Sequence, residues 1–401
     1  MTARFTALGA HCFMGGFTCG MAESLEVQAQ LEVFTLGEKT VEHNLGIPFY
    51  RGDFEAWPSV ASKFHGIDVL FGNPRCTGFS ALGHGCSEDA HGAWARPTVD
   101  IRQFAELASW LKPSIWAFES VQQAGTTGRP LIEWLHHTHG AGYTLYELYH
   151  NANMFGNSQW RPRVIFMWVD QRLQPPLTTV TNELRHRGPH VLVHDVLYGQ
   201  DNGALWNCPA LPVFDLSTLN DLEGVVKNSP TNYINHHYWW KTTPASRAYF
   251  EAALKLAPGE NVRDLPWADL PERLQAINLG WHVPHRLHPD RPCKVIYSGS
   301  WHYFHPDHQR PLSVREMARC MGLPDDWVVI GDDGAAQIGK GVCVEVGRWF
   351  GKLCNETLTT GVSYKGDQEL VELVGPAHYV ARLDRVPGWR PKKPRAEVYR
   401  G

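Results

Sequence analysis

Cys76 stands in the stretch GNPRCTGFS, directly after the run Ile67-Asp68-Val69-Leu70-Phe71. A thiol in a Gly/Pro-rich turn at the end of a buried strand is placed to act as a nucleophile, provided that nearby cations stabilise its thiolate. Glu119 ends the stretch SIWAFES, where a carboxyl can serve as general acid or base. Gln159, Arg161 and Arg163 follow in NSQWRPRV, and the R-x-R spacing aims two guanidiniums to one side of an extended chain. Upstream, the glycine-bearing loop GAHCFMGGFTCG precedes Glu32, at the end of VQAQLE, and Asp53, in RGDF. Acids at the ends of successive strands can accept from ribose hydroxyls or an adenine amino group. Taken singly, each residue reads as well as a loop acid, a buried thiol or a surface arginine pair. Their order along the chain sets them apart.

These groups need strands to carry them. Apolar runs predict strands at Phe5–Leu8, Ile67–Phe71, Ser114–Glu119 and Arg163–Val169, and apolar residues at 101, 104, 107, 108 and 111 predict a helix over Ile101–Leu111. The alternation predicts a doubly wound, Rossmann-like α/β domain with ligands at the carboxyl ends of its strands. Pro175-Pro176 interrupts it, and the chain turns rich in proline, histidine and tryptophan up to about residue 305, as in YINHHYWWKTTP. Those aromatics suit the core of a small domain or a base-stacking surface. In LSVREMARCMGLPDDW, Ser313 and Glu316 have capping-box spacing and Gly322-Leu323-Pro324 stops the helix; a further helix is expected after Gly341.

At 401 residues, 43% hydrophobic and 19% charged, the chain has the composition of a soluble globular protein of two or three domains. No run is long enough to span a membrane and the N-terminus lacks signal-peptide features, so a cytoplasmic address is expected. Nine cysteines, with no CxxC pair and no zinc-type spacing, fit reduced thiols and no metal site. A net charge of −4 means that any nucleic-acid contact depends on local positive charge. From Pro376 to Gly401 there are seven Lys/Arg against two acids.

In order and spacing these residues resemble the DNA cytosine-5 methyltransferases, through nearly the whole chain outside residues 180–300. HCFMGGFTCGM resembles the family's first cofactor loop, which assigns His11, Phe13, Met14, Gly15 and Gly16 to the cofactor. Glu32 with Asn44 resembles the second motif and Asp53 the third. NPRCTGFS resembles the catalytic Pro-Cys loop, with Ser80 at the DNA; FESV resembles the Glu-Asn-Val strand end; SQWRPR resembles Gln-x-Arg-x-Arg, with Gln159 at the DNA. RPLSVREMARCMGLPDDW and QIGKGV resemble the last two motifs, adding Lys340, Gly341 and Val342 to the cofactor site. The resemblance implies a catalytic and cofactor-binding domain over 1–175, a smaller target-recognition domain over 176–305, a return to the catalytic domain over 306–375 and a basic tail over 376–401. It implies a monomer working on double-stranded DNA, with no membrane partner. The Cys76 thiolate would attack carbon 6 of a flipped-out cytosine, so that carbon 5 takes an alkyl group from a sulfonium cofactor. Glu119 would favour protonation at ring nitrogen 3, Arg163 would position the base, and Arg161 the surrounding loop or phosphate.

The departures from the family pattern gather at the cofactor. Gly9, His11 and Phe13 fill the places of an Asp, a Phe and a Gly; Phe34 replaces an acid; Thr77 and Ser120 replace a Gln and an Asn. Arg75 replaces the second Pro of Pro-Pro-Cys, and Lys340 the Asn of Gln-x-Gly-Asn. In the family those two positions lie beside the sulfonium. A lysine about 4 Å from a sulfonium is repelled by roughly 4 kcal/mol at an effective dielectric of 20, and a carboxylate between them reverses the sign. These two departures point to carboxy-S-adenosylmethionine and a 5-carboxymethylcytosine product. In that scheme Lys340 is the main carboxylate partner, and Arg75 assists it or activates Cys76. The alternatives are ordinary methyl transfer from S-adenosylmethionine, a catalytically inactive DNA-binding protein on the same scaffold, and an RNA substrate.

Overall fold

The computed structural model describes residues 4–52, 57–79, 91–184, 191–198, 224–226, 238–240, 244–277, 279, 283–297, 302–331, 333–360, 371–375 and 377–383. The chain divides into two compact units, one of residues 1–156, 161–188 and 341–389, the other of residues 157–160, 189–340 and 390–401. These divisions fall later in the chain than the expected 175/176 and 305/306.

In the first unit, strands β1 (Thr6–Ala10), β2 (Glu26–Glu32), β3 (Phe49–Arg51), β4 (Val69–Gly72), β5 (Ile115–Val121), β6 (Tyr143–Asn151) and β7 (Pro162–Asp170) join Val371–Gly375 and His378–Arg382 in a nine-stranded sheet. The order is Val371–Gly375, His378–Arg382, β6, β7, β5, β4, β1, β2, β3. From β3 to β5 neighbouring strands are parallel, and β7 runs antiparallel between β5 and β6. The central strands are apolar nearly throughout because both faces are covered. The chain runs from β1 through β2 to β3 on one side and then returns to place β4 on the other side of β1, which opens a crevice at its carboxyl end. The reversed β7 brings its first residues to that same edge, with Arg163 opposite Val121 of β5 and His150 of β6.

Helices α1 (Gly16–Met21), α2 (Glu38–Leu45), α3 (Trp57–Ala61), α4 (Val99–Leu111) and α5 (Arg129–His139) connect the strands. The inward face of α4 buries Ile101, Phe104, Ala105, Leu107, Ala108 and Leu111 in one core with Leu8, Leu70, Phe118 and Trp168. Within it the rings of Trp116 and Trp168 stack 3.8 Å apart. A side chain at Gly16 would put its Cβ 2.6 Å from the Val342 carbonyl oxygen, so glycine is what admits the 341–342 segment beside the first loop.

The four expected strands and the α4 helix form, with ends shifted by a few residues. The strand β6 and the pair Val371–Gly375 and His378–Arg382 were not expected. In β6 the sequence YTLYELYHN carries a charge at Glu147, which masks its buried character. That carboxylate is satisfied by Arg129, by Tyr149 and by His378 at 2.6 Å. The strand His378–Arg382, taken from the sequence as part of a basic tail, pairs parallel with β6.

The second unit has its own core, including Phe250, Leu256, Val262, Leu274, Val283 and Phe304. The helix Val314–Cys320 starts at the expected capping box of Ser313 and Glu316, and Arg310 bonds Glu316 twice at 2.8 Å. This helix lies in the second unit, although the sequence assigns it to the return into the catalytic domain. Of the aromatic stretch, Tyr238–Trp240 is a strand paired with Gly224–Val226 and Pro244 opens a helix that runs to Ala253; the rest of that stretch lies outside the described residues. No described helix is long and apolar enough to cross a membrane.

Candidate active site

The turn after β4 carries Asn73, Pro74, Arg75 and Cys76, and β5 ends close by with Glu119 and Ser120. The Asn73 side-chain amide donates to Glu119 Oε2 at 2.6 Å and to the Glu119 carbonyl at 3.2 Å, tying the two strand ends together. Arg163, at the start of the reversed β7, brings its Nε within 3.2 Å of Glu119 Oε1. Arg161 donates from Nη2 to the Gly341 carbonyl at 2.8 Å, and its backbone N–H donates to Asn151 Oδ1 at 2.9 Å. The four expected catalytic residues thus come together at one edge of the sheet.

Their electrostatics are coupled. Burial raises the Cys76 pKa and the Glu119 carboxylate raises it further, while Arg163 and Arg161 pull it down. Burial also raises Glu119, against the same two arginines. A protonated Glu119 can donate to a base edge, and it removes the negative charge that holds back the neighbouring thiolate. The strongest cations acting on Cys76 are Arg163 and Arg161 rather than its neighbour Arg75.

At the end of β1 the backbone takes left-handed values at His11 (φ 58°), Phe13 (φ 54°) and Gly15 (φ 87°). The first two are strained for residues with side chains, each by about 1 kcal/mol or more. The loop keeps this form because β2 clamps it: the Phe13 N–H donates to Glu32 Oε1 at 2.6 Å, and Gln30 Nε2 donates to the Phe13 carbonyl at 2.7 Å. Met14 packs under Gly37, where a Cβ would meet the Met14 backbone at 2.7 Å. Glu32 is fully buried, and burial pushes its pKa up to about 8. Its Oε2 has no partner among the described residues. An unmatched buried carboxyl oxygen at the end of a second strand is what a ribose diol would satisfy, so these residues fit an S-adenosyl cofactor.

Beside this loop lies an open cleft of about 710 Å³ lined by Val33, Phe34, Arg51, Arg75, Asp100 and Gln103, among others. Across it, Arg75 forms a two-bond ion pair with Asp100, at 2.5 and 2.8 Å, and its guanidinium sits 4.9 Å above the Phe34 ring. His11 is buried against Trp57, with ring centres 5.1 Å apart. Burial pushes its pKa down to about 4, and neither ring nitrogen has a partner among the described residues.

The remaining expectations divide. Asp53 and Ser80 lie outside the described residues. Gly341 and Val342 join the first unit, against Arg161 and Gly16, whereas Lys340 ends the helix Gly334–Lys340 of the second. Gln159, expected at the DNA, is fully buried inside the second unit: its amide donates to the Cys320 carbonyl at 2.8 Å and accepts from the Ile296 N–H at 2.8 Å. These internal bonds take up its polar atoms, so it braces that unit. Two site residues were missed. Asn73 reads as an ordinary turn residue, and Asp100 as an acid in the first turn of a helix, where acids are common anyway. A lone arginine before the nucleophile was the available hint that an acid must lie near.

Residues 11–356 match the family model for C-5 cytosine-specific DNA methylases. Among curated proteins, the type II methyltransferase M.Sau96I of Staphylococcus aureus is 34% identical over 101 residues, 21% of this chain and 24% of that protein. The chain thus spans about a quarter of that relative. The type II methyltransferase M.NgoFVII of Neisseria gonorrhoeae is 24% identical over 75% of this chain and 72% of its own length. Among solved structures, Dnmt2 methyltransferase of S. pombe superposes with a TM-score of 0.54 at 14% identity, covering 88% of this chain and 99% of that one. That likeness shows the fold: a mixed α/β, Rossmann-like domain with a large, mostly parallel sheet. The chain belongs to the C-5 cytosine-specific DNA methylase family.

Proposed function

We propose that the protein alkylates carbon 5 of cytosine in double-stranded DNA. The observation that carries this reading is the cluster of Cys76, Asn73, Glu119 and Arg163 on three adjoining strand ends, in the unit that also holds the Glu32 loop. Cys76, as thiolate, adds to carbon 6 of a cytosine turned out of the stack, forming a carbon–sulfur bond and making carbon 5 nucleophilic. Glu119, held by Asn73 and Arg163, keeps a proton at ring nitrogen 3, which draws electrons away from carbon 6 and eases the attack. Arg163 balances the site's charge and steadies the base, while Arg161 holds the Gly341 segment. A bound S-adenosyl cofactor supplies the electrophilic carbon. Loss of the carbon 5 proton then expels the thiolate and restores the ring. The second unit is assigned to target recognition, reading base edges and phosphates.

The finer reading is that the transferred group is carboxymethyl, from carboxy-S-adenosylmethionine. Lys340, in place of the family's Asn, supports it. The Arg75–Asp100 pair favours the rival reading, ordinary methyl transfer from S-adenosylmethionine, because it cancels one of the two charges on which the finer reading is built. A competition with both cofactors, reading nucleosides by mass, separates them. Carboxymethyl transfer gives mainly 5-carboxymethylcytosine from the wild type and mainly 5-methylcytosine from Lys340→Asn. If the wild type makes only 5-methylcytosine with both present, methyl transfer stands. If it makes neither while still binding DNA, the inactive-scaffold reading replaces both.

A further inference from the structure

An arginine beside the nucleophile of a sulfonium-using enzyme is an electrostatic problem, and the cleft contains a remedy that the family motifs do not supply. Asp100 is only 2% exposed. Its carboxylate meets Arg75 through Nε and Nη2 at 2.5 and 2.8 Å, a two-pronged geometry that fixes the guanidinium plane. The Phe34 ring beneath the guanidinium limits its swing from the other side. All three residues line the same open cleft, and His11 and Glu32, the neighbouring titratable groups, both feel the charge of Asp100. Arg51 also lines this cleft.

We propose that Asp100 is the charge-selecting residue of the cofactor cleft: by holding Arg75 in a closed pair, it makes the site tolerant of a cationic sulfonium. The inference rests on reading this cleft as the S-adenosyl site, but it holds whichever group is transferred. A site with Arg75 alone would repel a sulfonium, a site with Asp100 alone would attract it, and the pair leaves the two nearly balanced. Asp100 touches no reacting atom in this account; it is a positioning residue whose effect passes through Arg75.

The test needs no turnover. S-adenosylmethionine and S-adenosylhomocysteine share the adenosine and amino-acid parts and differ in one methyl group and the positive charge on sulfur. The ratio of their dissociation constants, measured calorimetrically on the DNA-free full chain, therefore reports the charge of the site. In Asp100→Asn the ratio should move about tenfold against the sulfonium, a change of about 1.4 kcal/mol. In Arg75→Gln it should move severalfold toward the sulfonium, and in the double variant it should return to within about threefold of wild type. A general loss of fold or packing would weaken both ligands alike and leave the ratio where it was. Unchanged ratios in both single variants, with both ligands bound, overturn the inference while the cofactor cleft stands. If Asp100→Asn does not fold, an unchanged ratio in Arg75→Gln is sufficient to overturn it. If the folded wild type binds neither ligand, the reading of the cleft fails, and this inference with it.

Discussion

Replacing Glu119 by Gln should push two properties of one site in opposite directions. The exchange keeps the side chain's shape and can keep the Asn73 contact, but it removes an ionisable carboxyl facing Cys76 and the countercharge of Arg163. With Arg163 mostly buried and unpaired, the fold should lose about 2 kcal/mol, less than for a fully enclosed ion pair. A full charge at ~6 Å and an effective dielectric of 20 shifts a neighbouring group by about 3 kcal/mol, or two pH units. Burial raises Glu119 and its carboxylate in turn raises Cys76, so the Cys76 pKa should fall in the variant, by no more than that full-charge limit. Because Cys76 sits above the usual thiol range, its thiolate fraction at pH 7.5, and with it alkylation by iodoacetamide, should rise several-fold to about tenfold. Transfer to DNA should nevertheless fall by about 10²- to 10⁴-fold, because nothing then holds the proton on the base. Peptide mapping after timed labelling reads the first effect and counts of modified cytosine the second. Cys343, raised to about 12 by burial, serves as a slow internal control. A folded Glu119→Gln protein whose Cys76 labels no faster than wild type would refute the coupling argued here.

Other consequences follow from single residues. Burial raises Glu32 to about 8, so ionising it costs the folded state increasingly from its unfolded value near 4.5 up to about pH 8. Glu32→Gln should therefore make the ligand-free protein more stable at pH 8, by as much as about 4 kcal/mol in urea unfolding, with little gain at pH 4.5, while weakening cofactor binding. Gly16→Ala should destabilise by about 2 kcal/mol or more in the same assay, since its methyl group meets the Val342 carbonyl at 2.6 Å. Cys76→Ala should abolish transfer but keep DNA binding. DNA carrying 5-fluorocytosine should trap the wild type as a denaturation-resistant adduct, and turnover by the alanine variant would refute covalent catalysis.

What the sequence disclosed and what it concealed differ in kind. The strands under Cys76 and Glu119 were legible because parallel strands covered on both faces are continuous apolar runs, and the capping box at Ser313 because its signal lies within four residues. β6 was hidden because Glu147 breaks its apolar pattern. The groups that make this tolerable, Arg129 and His378, lie 18 and 231 residues away. Gln159 misled because a motif fixes where a side chain stands in the chain, not whether its amide is consumed by Ile296 and Cys320.

The same limit governs the charge of the cofactor cleft. From the sequence, Arg75 and Lys340 are two additional cations, and together they argue for an anionic transferred group. The partner that cancels the first lies 25 residues downstream, at the start of a helix where an acid needs no special explanation. Once Asp100 is paired, Arg75 cannot be counted toward a cofactor carboxylate without first breaking two charge-assisted bonds, each typically worth about 1.5–3 kcal/mol. What is left of the case for carboxymethyl transfer is the lysine at the motif position of Lys340. If the transferred group is carboxymethyl, Lys340→Asn should shift the product strongly toward methyl; Arg75→Gln, which leaves the Asp100 carboxylate unpaired, should shift it severalfold the same way, and the Arg75→Gln/Asp100→Asn double variant should barely alter the ratio of the two products. If instead the double variant abolishes carboxymethyl transfer and spares methyl transfer, the pair must open in the working enzyme and Arg75 must reach the carboxylate itself.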